Sequence, residues 1–338
     1  MNYVTIGDMA QSFQFRSHNS QLQRSLQTLT AEMTSGTRAD LAAAVSGDFR
    51  ALAGIDRSLG ALQAFRTATS EAALLTASIQ GALDATTRIV TDIAPGLLSA
   101  GINGSSTLVD TAAHDARQKF DAVVAALNTR IADRYLLSGA ATDAKPIAGS
   151  QAILDALAPV IAGQVTAQGV VDAVAAFFDA PAGGGGYLDT IYGGSAAPLA
   201  AFRIAPGDQA GLELTAADPA IRDTLEALSL AALVADGALA GDRTGRALVL
   251  RRSGEGLLAA GDALTAAQAR VGTAEARIEA AATRNAAEAS MLGIERSRIV
   301  AADPFETATA LEAVQTQIET LYNITARLSR LSLADFLR

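Results

Sequence analysis

The sequence predicts a mainly α-helical protein, in which long N- and C-terminal segments form an antiparallel coiled-coil bundle around a small α+β insert. Half of its 338 residues are apolar, yet only 4% are aromatic. This composition, rich in Ala and Leu, is typical of long helices packed side by side. Apolar residues recur at helical spacing towards both ends, whereas six of the eight prolines lie between residues 140 and 221.

The first helix is predicted from an apolar stripe near the N-terminus. Its members follow steps of four and three residues, as one face of an α-helix requires: Leu22, Leu26, Leu29 and Met33. Ser35 and Gly36 follow, and Gly36 is a suitable left-handed residue just beyond a helix end. We therefore expect this helix to end at Ser35.

Two further helices and the insert follow in the sequence. The helices are predicted over about 48–93, ended by Pro95-Gly96, and over about 107–134. The insert, 146–221, is predicted to contain short helices near 151–162 and 167–179. Its strands are predicted at Leu199–Ile204 and Leu212–Thr215, with a turn at Pro206-Gly207.

A seven-residue repeat marks the next long helix. Its core positions are Leu257, Leu264, Val271, Ile278, Asn285, Leu292 and Ile299. Alanine follows three residues after each of the first four, so a partner helix can approach closely. Asn285 at a core position is expected to fix the register of pairing at some cost in stability. Glu288 and Glu295 interrupt the alternate positions, where the packing must change.

The last helix has a clear start signal. Asp303 is predicted as its N-cap, Pro304 as its first residue and Glu306 as the third residue of a capping box. Its apolar stripe consists of Leu311, Val314, Ile318, Leu321 and Leu328, continued by Leu331, Leu333 and Phe336. One helix cannot bury such a stripe alone. The first and last stripes are therefore expected to form an assembly interface, pairing with each other or with neighbouring copies.

No pattern of catalytic, cofactor-binding or metal-ligating residues is found. The chain has no Cys and two His, His18 and His114, which lie on different helical segments. Its two lysines follow no phosphate-binding glycine loop, and the run Gly183–Gly186 is interpreted as a flexible loop. We expect neither an enzyme nor a cofactor.

The charge distribution favours buried ends and a solvated middle. Residues 1–50 and residues 296–338 are each neutral, so the net charge of −9 falls on the rest of the chain. Nucleic acid is disfavoured as a partner because no basic stripe is available to replace phosphate counterions. The first twenty residues lack a signal-peptide pattern, and no apolar run is long enough to insert in a membrane. An extracellular location would then require export without a cleaved signal peptide.

At both ends the sequence resembles the flagellin family. Residues 22–38 are similar to the family's N-terminal helix and residues 299–337 to its C-terminal helix, and the resemblance covers 1–146 and 222–338. Within the family the hook-associated, hook–filament junction branch is favoured. The element that carries this resemblance, with Leu137 in place of the usual Phe, consists of Tyr135, Leu137, Gly139, Thr142 and Pro146. The ending Leu331-Ser332-Leu333 is also similar to that branch. Filament flagellins usually carry Asn-Thr-Asn and Asp-Asp-Ala where Thr5–Asp8 and Val45–Asp48 stand here.

The resemblance implies a domain organisation and a function. It implies an inner domain of terminal helices (1–45 with 300–338), a helical core (46–145 with 222–299) and an outer insert (146–221). It implies a flagellar structural subunit that joins hook to filament and is exported by the flagellar type III apparatus. The implied partners are further copies of the chain, a neighbouring hook-associated protein, flagellin and an export chaperone. Filament flagellin is the main alternative. A non-flagellar coiled-coil scaffold, a chemoreceptor fragment and a lipid-binding amphipathic protein are the others.

Overall fold

A computed structural model describes residues 6–336, with side chains described for residue 10 and residues 13–327. The chain is 73% helical, and the prediction of a mainly α-helical fold with a small α+β insert is confirmed. Contacts divide it into two units. The first consists of Met1–Leu62 with Ala287–Arg338, and the second is Gln63–Ala286. The predicted outer insert lies wholly within the second unit.

Helices account for most of residues 6–336, and two short β-hairpins lie between helices. The strands are β1 (Arg130–Ile131) with β2 (Arg134–Tyr135), and β3 (Phe202–Ala205) with β4 (Asp208–Ala210), each pair antiparallel. The helices are α1 (Ile6–Ser35), α2 (Leu41–Ala44), α3 (Arg50–Asn103), α4 (Ser106–Leu127), α5 (Ser150–Ile161), α6 (Ala167–Asp179), α7 (Tyr187–Thr190), α8 (Pro219–Ala235), α9 (Arg243–Val300) and α10 (Pro304–Phe336).

Helix α3 passes through the proline that was predicted to end it. Pro95 lies inside α3, which continues to Asn103 and ends where Gly104 adopts a φ of +66°. A proline inside a helix removes one backbone hydrogen bond. Here Ile93, Ala94 and Leu97 around it are all buried, so apolar packing keeps the helix continuous.

The helix predicted over 107–134 is shorter than expected. α4 ends at Leu127, and the next residues form the hairpin β1–β2, in which Arg130 pairs with Tyr135. The two turn residues, Ala132 and Asp133, have φ angles of +46° and +64°. Positive φ at both central residues is the geometry of the tight hairpin turn that matches strand twist. Such turns are usually signalled by Asn-Gly, Asp-Gly or Gly-Gly. Ala132 and Asp133 form none of these pairs, so the sequence did not indicate the turn.

In the insert the helix predictions are confirmed and one strand prediction is wrong. α5 and α6 begin and end within a residue of their predicted bounds. β3 overlaps the first predicted strand but begins three residues later, at Phe202, and ends one residue beyond it. Gly207 in the predicted turn has a φ of +74°. The second strand begins at Asp208 and not at Leu212, because a two-residue turn places the partner strand directly after Gly207.

The glycine run differs from the flexible loop expected from the sequence. The Asp189 side chain accepts hydrogen bonds from the backbone N–H groups of Gly183 at 2.8 Å and Gly185 at 2.7 Å. A Cβ atom on Gly186 would lie 2.3 Å from the carbonyl oxygen of Phe177. Glycines are therefore needed here for close packing and for two positive φ angles, at Gly183 and Gly185.

The second unit contains the large hydrophobic core. Helix α8 packs against α4, α5 and α6. Phe120, Leu137, Phe178 and Tyr187 are fully buried within this core. The Tyr187 ring stacks on Phe178 with centroids 5.3 Å apart, and its hydroxyl donates to the carbonyl oxygen of Ala216 at 2.9 Å. Burial of the ring is therefore combined with a satisfied polar group.

In the first unit α1 packs against α10. The predicted end of α1 is confirmed, since Gly36 follows Ser35 with a φ of +68°. The predicted start of α10 is also confirmed, because Asp303 accepts from the N–H groups of Phe305 and Glu306. The Glu306 carboxylate, predicted to complete a capping box, lies 3.8 Å from the Arg38 guanidinium.

Candidate assembly surface

The apolar stripe of α1 is only partly covered. Leu22 is buried, Leu26 and Leu29 are half-buried, and Met33 is 47% exposed. A fully buried Leu or Met contributes about 1.5–3 kcal/mol relative to an exposed one. In the single chain, therefore, the stripe gains only part of the stabilisation that full burial of its side chains would give.

The stripe of α10 shows the same partial burial. Leu321 is 8% exposed, whereas Leu311, Val314 and Ile318 are half-buried. The structure thus brings α1 and α10 together, and each covers only part of the other's stripe. The side chains of four residues in the predicted interface lie outside the described residues: Leu328, Leu331, Leu333 and Phe336.

A groove of about 690 Å³ runs between α1 and α10. Phe13, Phe15, Leu321 and Ile324 give it apolar walls, and the other lining residues are polar, with no Asp, Glu, Lys or Arg among them. An apolar helix fits such walls better than an ion or a nucleotide does, because no Asp, Glu, Lys or Arg lines them.

The first unit buries few apolar side chains and exposes many. Among the described residues, its buried apolar residues are Leu22, Leu52, Leu62, Val300, Ala302 and Leu321. Large apolar side chains exposed on the same unit are Phe13, Met33, Leu41, Phe49, Met291, Ile294, Phe305, Tyr322 and Ile324. Among the described residues of the larger second unit, the exposed large apolar side chains are five: Leu74, Ile102, Leu108, Val165 and Leu258. Exposed apolar surface concentrated on one unit is characteristic of an interaction site.

Sequence reasoning missed several of these exposed residues. Phe305 is 83% exposed in the first turn of α10, and Met291 and Ile294 are 66% and 54% exposed on α9. Met291 and Ile294 lie three residues apart but off the heptad positions, so the seven-residue repeat does not include them. Each of these three is a large apolar residue outside a predicted stripe, and that position could have indicated an exposed apolar side chain.

The heptad positions of α9 change character along the helix. Leu257, Leu264, Val271 and Ile278 are buried, whereas Leu292 and Ile299 are half-buried. Between these sets, the Asn285 side chain donates a hydrogen bond to the carbonyl oxygen of Ile204 at 2.7 Å. The partner of this polar core position is therefore strand β3.

Small residues allow α9 to approach α3 closely within the second unit. A Cβ atom added to Gly254 would lie 2.8 Å from the Leu98 side chain, and one added to Gly101 would meet Arg251 at 2.6 Å. Ala260, Ala267 and Ala281 at the alternate heptad positions are buried. Such close contacts exclude any larger side chain at Gly254 and Gly101 without movement of the helices.

The segment Tyr135–Pro146 lies where the chain leaves β2 and enters the insert. The N–H of Tyr135 donates to the carbonyl oxygen of Thr142 at 2.7 Å. The N–H of Gly193 donates to the carbonyl oxygen of Pro146 at 3.0 Å. Leu137 is fully buried. Gly139 has a φ of +62°, and a Cβ atom there would lie 2.4 Å from the carbonyl oxygen of Ala197. Only glycine satisfies both conditions, so Gly139 fixes the path of the chain into the insert.

Titratable groups in the described residues form no metal cluster, since no three His, Asp or Glu side chains there are placed to share an ion. One carboxyl group is strongly perturbed. Burial, reinforced by Asp179 and Asp223, raises the pKa of Glu226 to about 7.

Within residues 6–336, no helix combines the length and apolar character needed to cross a bilayer.

A known family model matches the C-terminal part of the chain. Residues 257–337 match the family model described as the bacterial flagellin C-terminal helical region. This match supports the flagellin superfamily. It begins at the first heptad residue, Leu257, and covers most of α9 and all of α10. No curated protein sequence shows a significant match to the chain.

The flagellin superfamily is structural and non-enzymatic, and its members are exported and self-assemble into flagellar polymers. A flagellin-like C-terminal region therefore indicates a flagellar structural subunit. The half-covered stripes of α1 and α10 are consistent with that role, because polymerisation would bury them.

Proposed function

We propose that this protein joins the hook of the bacterial flagellum to its filament and assembles through α1 and α10. The observation that carries the assembly part is the incomplete burial of the two terminal stripes, whose residues Leu26, Leu29, Val314 and Ile318 remain half-exposed in the single chain. Neighbouring copies would supply the missing cover.

Charge also supports contacts between like copies. Both ends of the chain are electrically neutral, so copies can approach without the repulsion that the overall charge of −9 would cause. The groove between α1 and α10 has apolar walls and polar neighbours without Asp, Glu, Lys or Arg, which suit an apolar helix from another copy. In this proposal the inner domain is 1–45 with 300–338, the core is 46–145 with 222–299, and residues 146–221 form the outer insert.

The junction role is favoured over the filament role by sequence resemblance. The element containing Tyr135, Gly139 and Pro146, and the ending Leu331–Leu333, are similar to the junction branch. The partners of this role would be further copies, another hook-associated protein, flagellin and an export chaperone, at an extracellular site reached without a cleaved signal peptide. Filament flagellin is the second candidate, since the matched C-terminal region belongs to flagellins.

Deletion of the gene, followed by electron microscopy of the cells and analysis of the medium, tests both roles. The junction role predicts hooks on the cells and unpolymerised flagellin in the medium, with filaments restored by the wild-type gene. Hooks with no flagellin anywhere would show that this chain forms the filament. Normal flagella in a strain without a second copy of the gene would reject both.

A further inference from the structure

The β3–β4 hairpin lies on α3 and α9 through a small cluster separate from the main core of the second unit. That cluster consists of Ala72, Ile204, Ala210, Ile278 and Ala281, with Phe202 partly buried against it. Three of the five buried residues are alanine, so little apolar area holds the hairpin in place. The main core, by contrast, includes Phe120, Phe178 and Tyr187.

Polar and charged contacts complete the attachment. Asp208 at the start of β4 accepts a hydrogen bond from Arg277 and lies 3.7 Å from Arg284. These two arginines are 58% and 62% exposed, so salt can screen their attraction to Asp208. Asn285 supplies the buried hydrogen bond to Ile204. Arg203 also lies over the Phe65 ring, 6.0 Å from its centroid.

We propose that the β3–β4 hairpin is a strap that opens and closes on α3 and α9 without unfolding the rest of the second unit, and that Asn285 selects where it docks. At the preceding heptad positions, Val271 and Ile278 offer no side-chain donor. Docking beside Asn285 therefore gives the carbonyl of Ile204 a side-chain donor that the two preceding heptad residues could not supply.

The two ends of the strap are fixed independently of its docking. The carbonyl of Ala197 accepts from the N–H of Ala140 at 3.0 Å, and the N–H of Ala216 donates to the carbonyl of Leu137 at 2.8 Å. Leu212 belongs to the main core. The movable segment is thus the chain between Ala197 and Leu212, which is held at both ends while its middle depends on the small cluster. Weakly packed segments of this kind open at lower free energy than the core around them.

Hydrogen exchange of the full chain gives the first test. Amides of residues 202–210 should exchange faster than those of residues 225–234, and about 1 M NaCl should speed their exchange because the Debye length falls to about 3 Å. In Asp208→Asn this salt effect should disappear. Equal protection of 202–210 and 225–234 would overturn the proposal, since the hairpin would then open only when the whole unit unfolds.

Cleavage by trypsin after Arg203 tests the role of Asn285. Loss of the buried hydrogen bond in Asn285→Ala should increase the cleavage rate roughly tenfold without changing exchange in residues 225–234. The matched control is Asn128→Ala, which also removes side chain–backbone hydrogen bonds, here to Ile147. Cleavage after Arg203 should stay unchanged in that control. An equal increase in both variants, or none in Asn285→Ala, would contradict selection of the docking site by Asn285.

Discussion

Asn285 and Ile204 lie 81 residues apart in the sequence and are joined by a buried hydrogen bond of 2.7 Å from the side-chain amide to the backbone carbonyl. The amide occupies a heptad position at which the preceding residues, Val271 and Ile278, are apolar and buried. Along α9, Val271 belongs to the main core, whereas Ile278 already packs in the small cluster with the β3–β4 hairpin. Asn285, one heptad further, adds the buried hydrogen bond to that hairpin.

Truncation of the α10 stripe should impair assembly more than folding. Ile318→Ala should cost about 2–5 kcal/mol where the side chain becomes fully buried between copies. Leu321→Ala should cost a similar amount, but part of its loss should already appear in the single chain, where Leu321 is buried. Leu258→Ala is the matched control, because Leu258 is 51% exposed on α9 in the second unit. Motility and electron microscopy measure assembly, and thermal unfolding measures stability. Normal assembly in both α10 variants would rule out this stripe as an interface.

The terminal helices should be weakly protected in a dilute monomer. Their stripes are only half covered, and helices gain most of their stability from packing. Amides of residues 22–33 and 311–328 should therefore exchange much faster than those of residues 225–234, which lie in the core helix α8. Slow exchange of both terminal segments at low concentration would mean that they fold fully without neighbouring copies.

Gly139 should tolerate no side chain. Gly139→Ala combines a positive φ with a Cβ atom 2.4 Å from a carbonyl oxygen, and we expect a loss of about 3 kcal/mol or more in the free energy of unfolding. Gly207→Ala is the control, since its φ of +74° is similar but no atom lies within 4 Å of the added Cβ. That variant should lose only about 1 kcal/mol. Equal losses, measured by denaturant unfolding, would show that the close approach at Gly139 is unimportant.

The raised pKa of Glu226 makes stability depend on pH. In the folded state this pKa is about 7, above its ordinary value of 4.5, so the folded protein binds an extra proton between the two values. The contribution of Glu226 to stability is therefore complete below pH 4.5 and is lost as the pH rises through 7. Glu226→Gln should be more stable than the wild type at pH 8 by about 1–2 kcal/mol, with little difference at pH 4. An unchanged difference across this range would contradict the raised pKa.

The long helices could be predicted from the sequence because their periodicity and end signals are local. Gly36 and Asp303 mark helix ends through their own backbone or side-chain chemistry. Pro95 misled the prediction because burial of the residues beside it outweighs the missing hydrogen bond. The alternation of Leu212 and Leu214 predicted a strand, but such alternation indicates burial of alternate side chains and not strand pairing. Both residues are buried, yet neither belongs to a β-sheet.

The candidate surface was predictable in part for the same reason. The stripes on α1 and α10 follow helical spacing, so their residues could be named in advance. How much of each stripe the chain itself covers depends on the packing of α1 against α10, which local sequence does not encode. The hydrogen-bond partner of Asn285 is likewise distant in sequence, so heptad spacing alone suggested a helix where β3 lies.

The most direct test of assembly through the terminal helices uses the absence of cysteine from the chain. Gln317→Cys places a single thiol in the groove between α1 and α10, and Thr190→Cys places one in the insert as a control. Isolated flagella and dilute monomer are treated with a short thiol cross-linker and analysed by denaturing electrophoresis. We expect covalent links from the Gln317→Cys site to a neighbouring subunit in flagella, none in the dilute monomer, and few from the control site. No links from Gln317→Cys in assembled flagella, with efficient links from Thr190→Cys, would contradict assembly through the terminal helices.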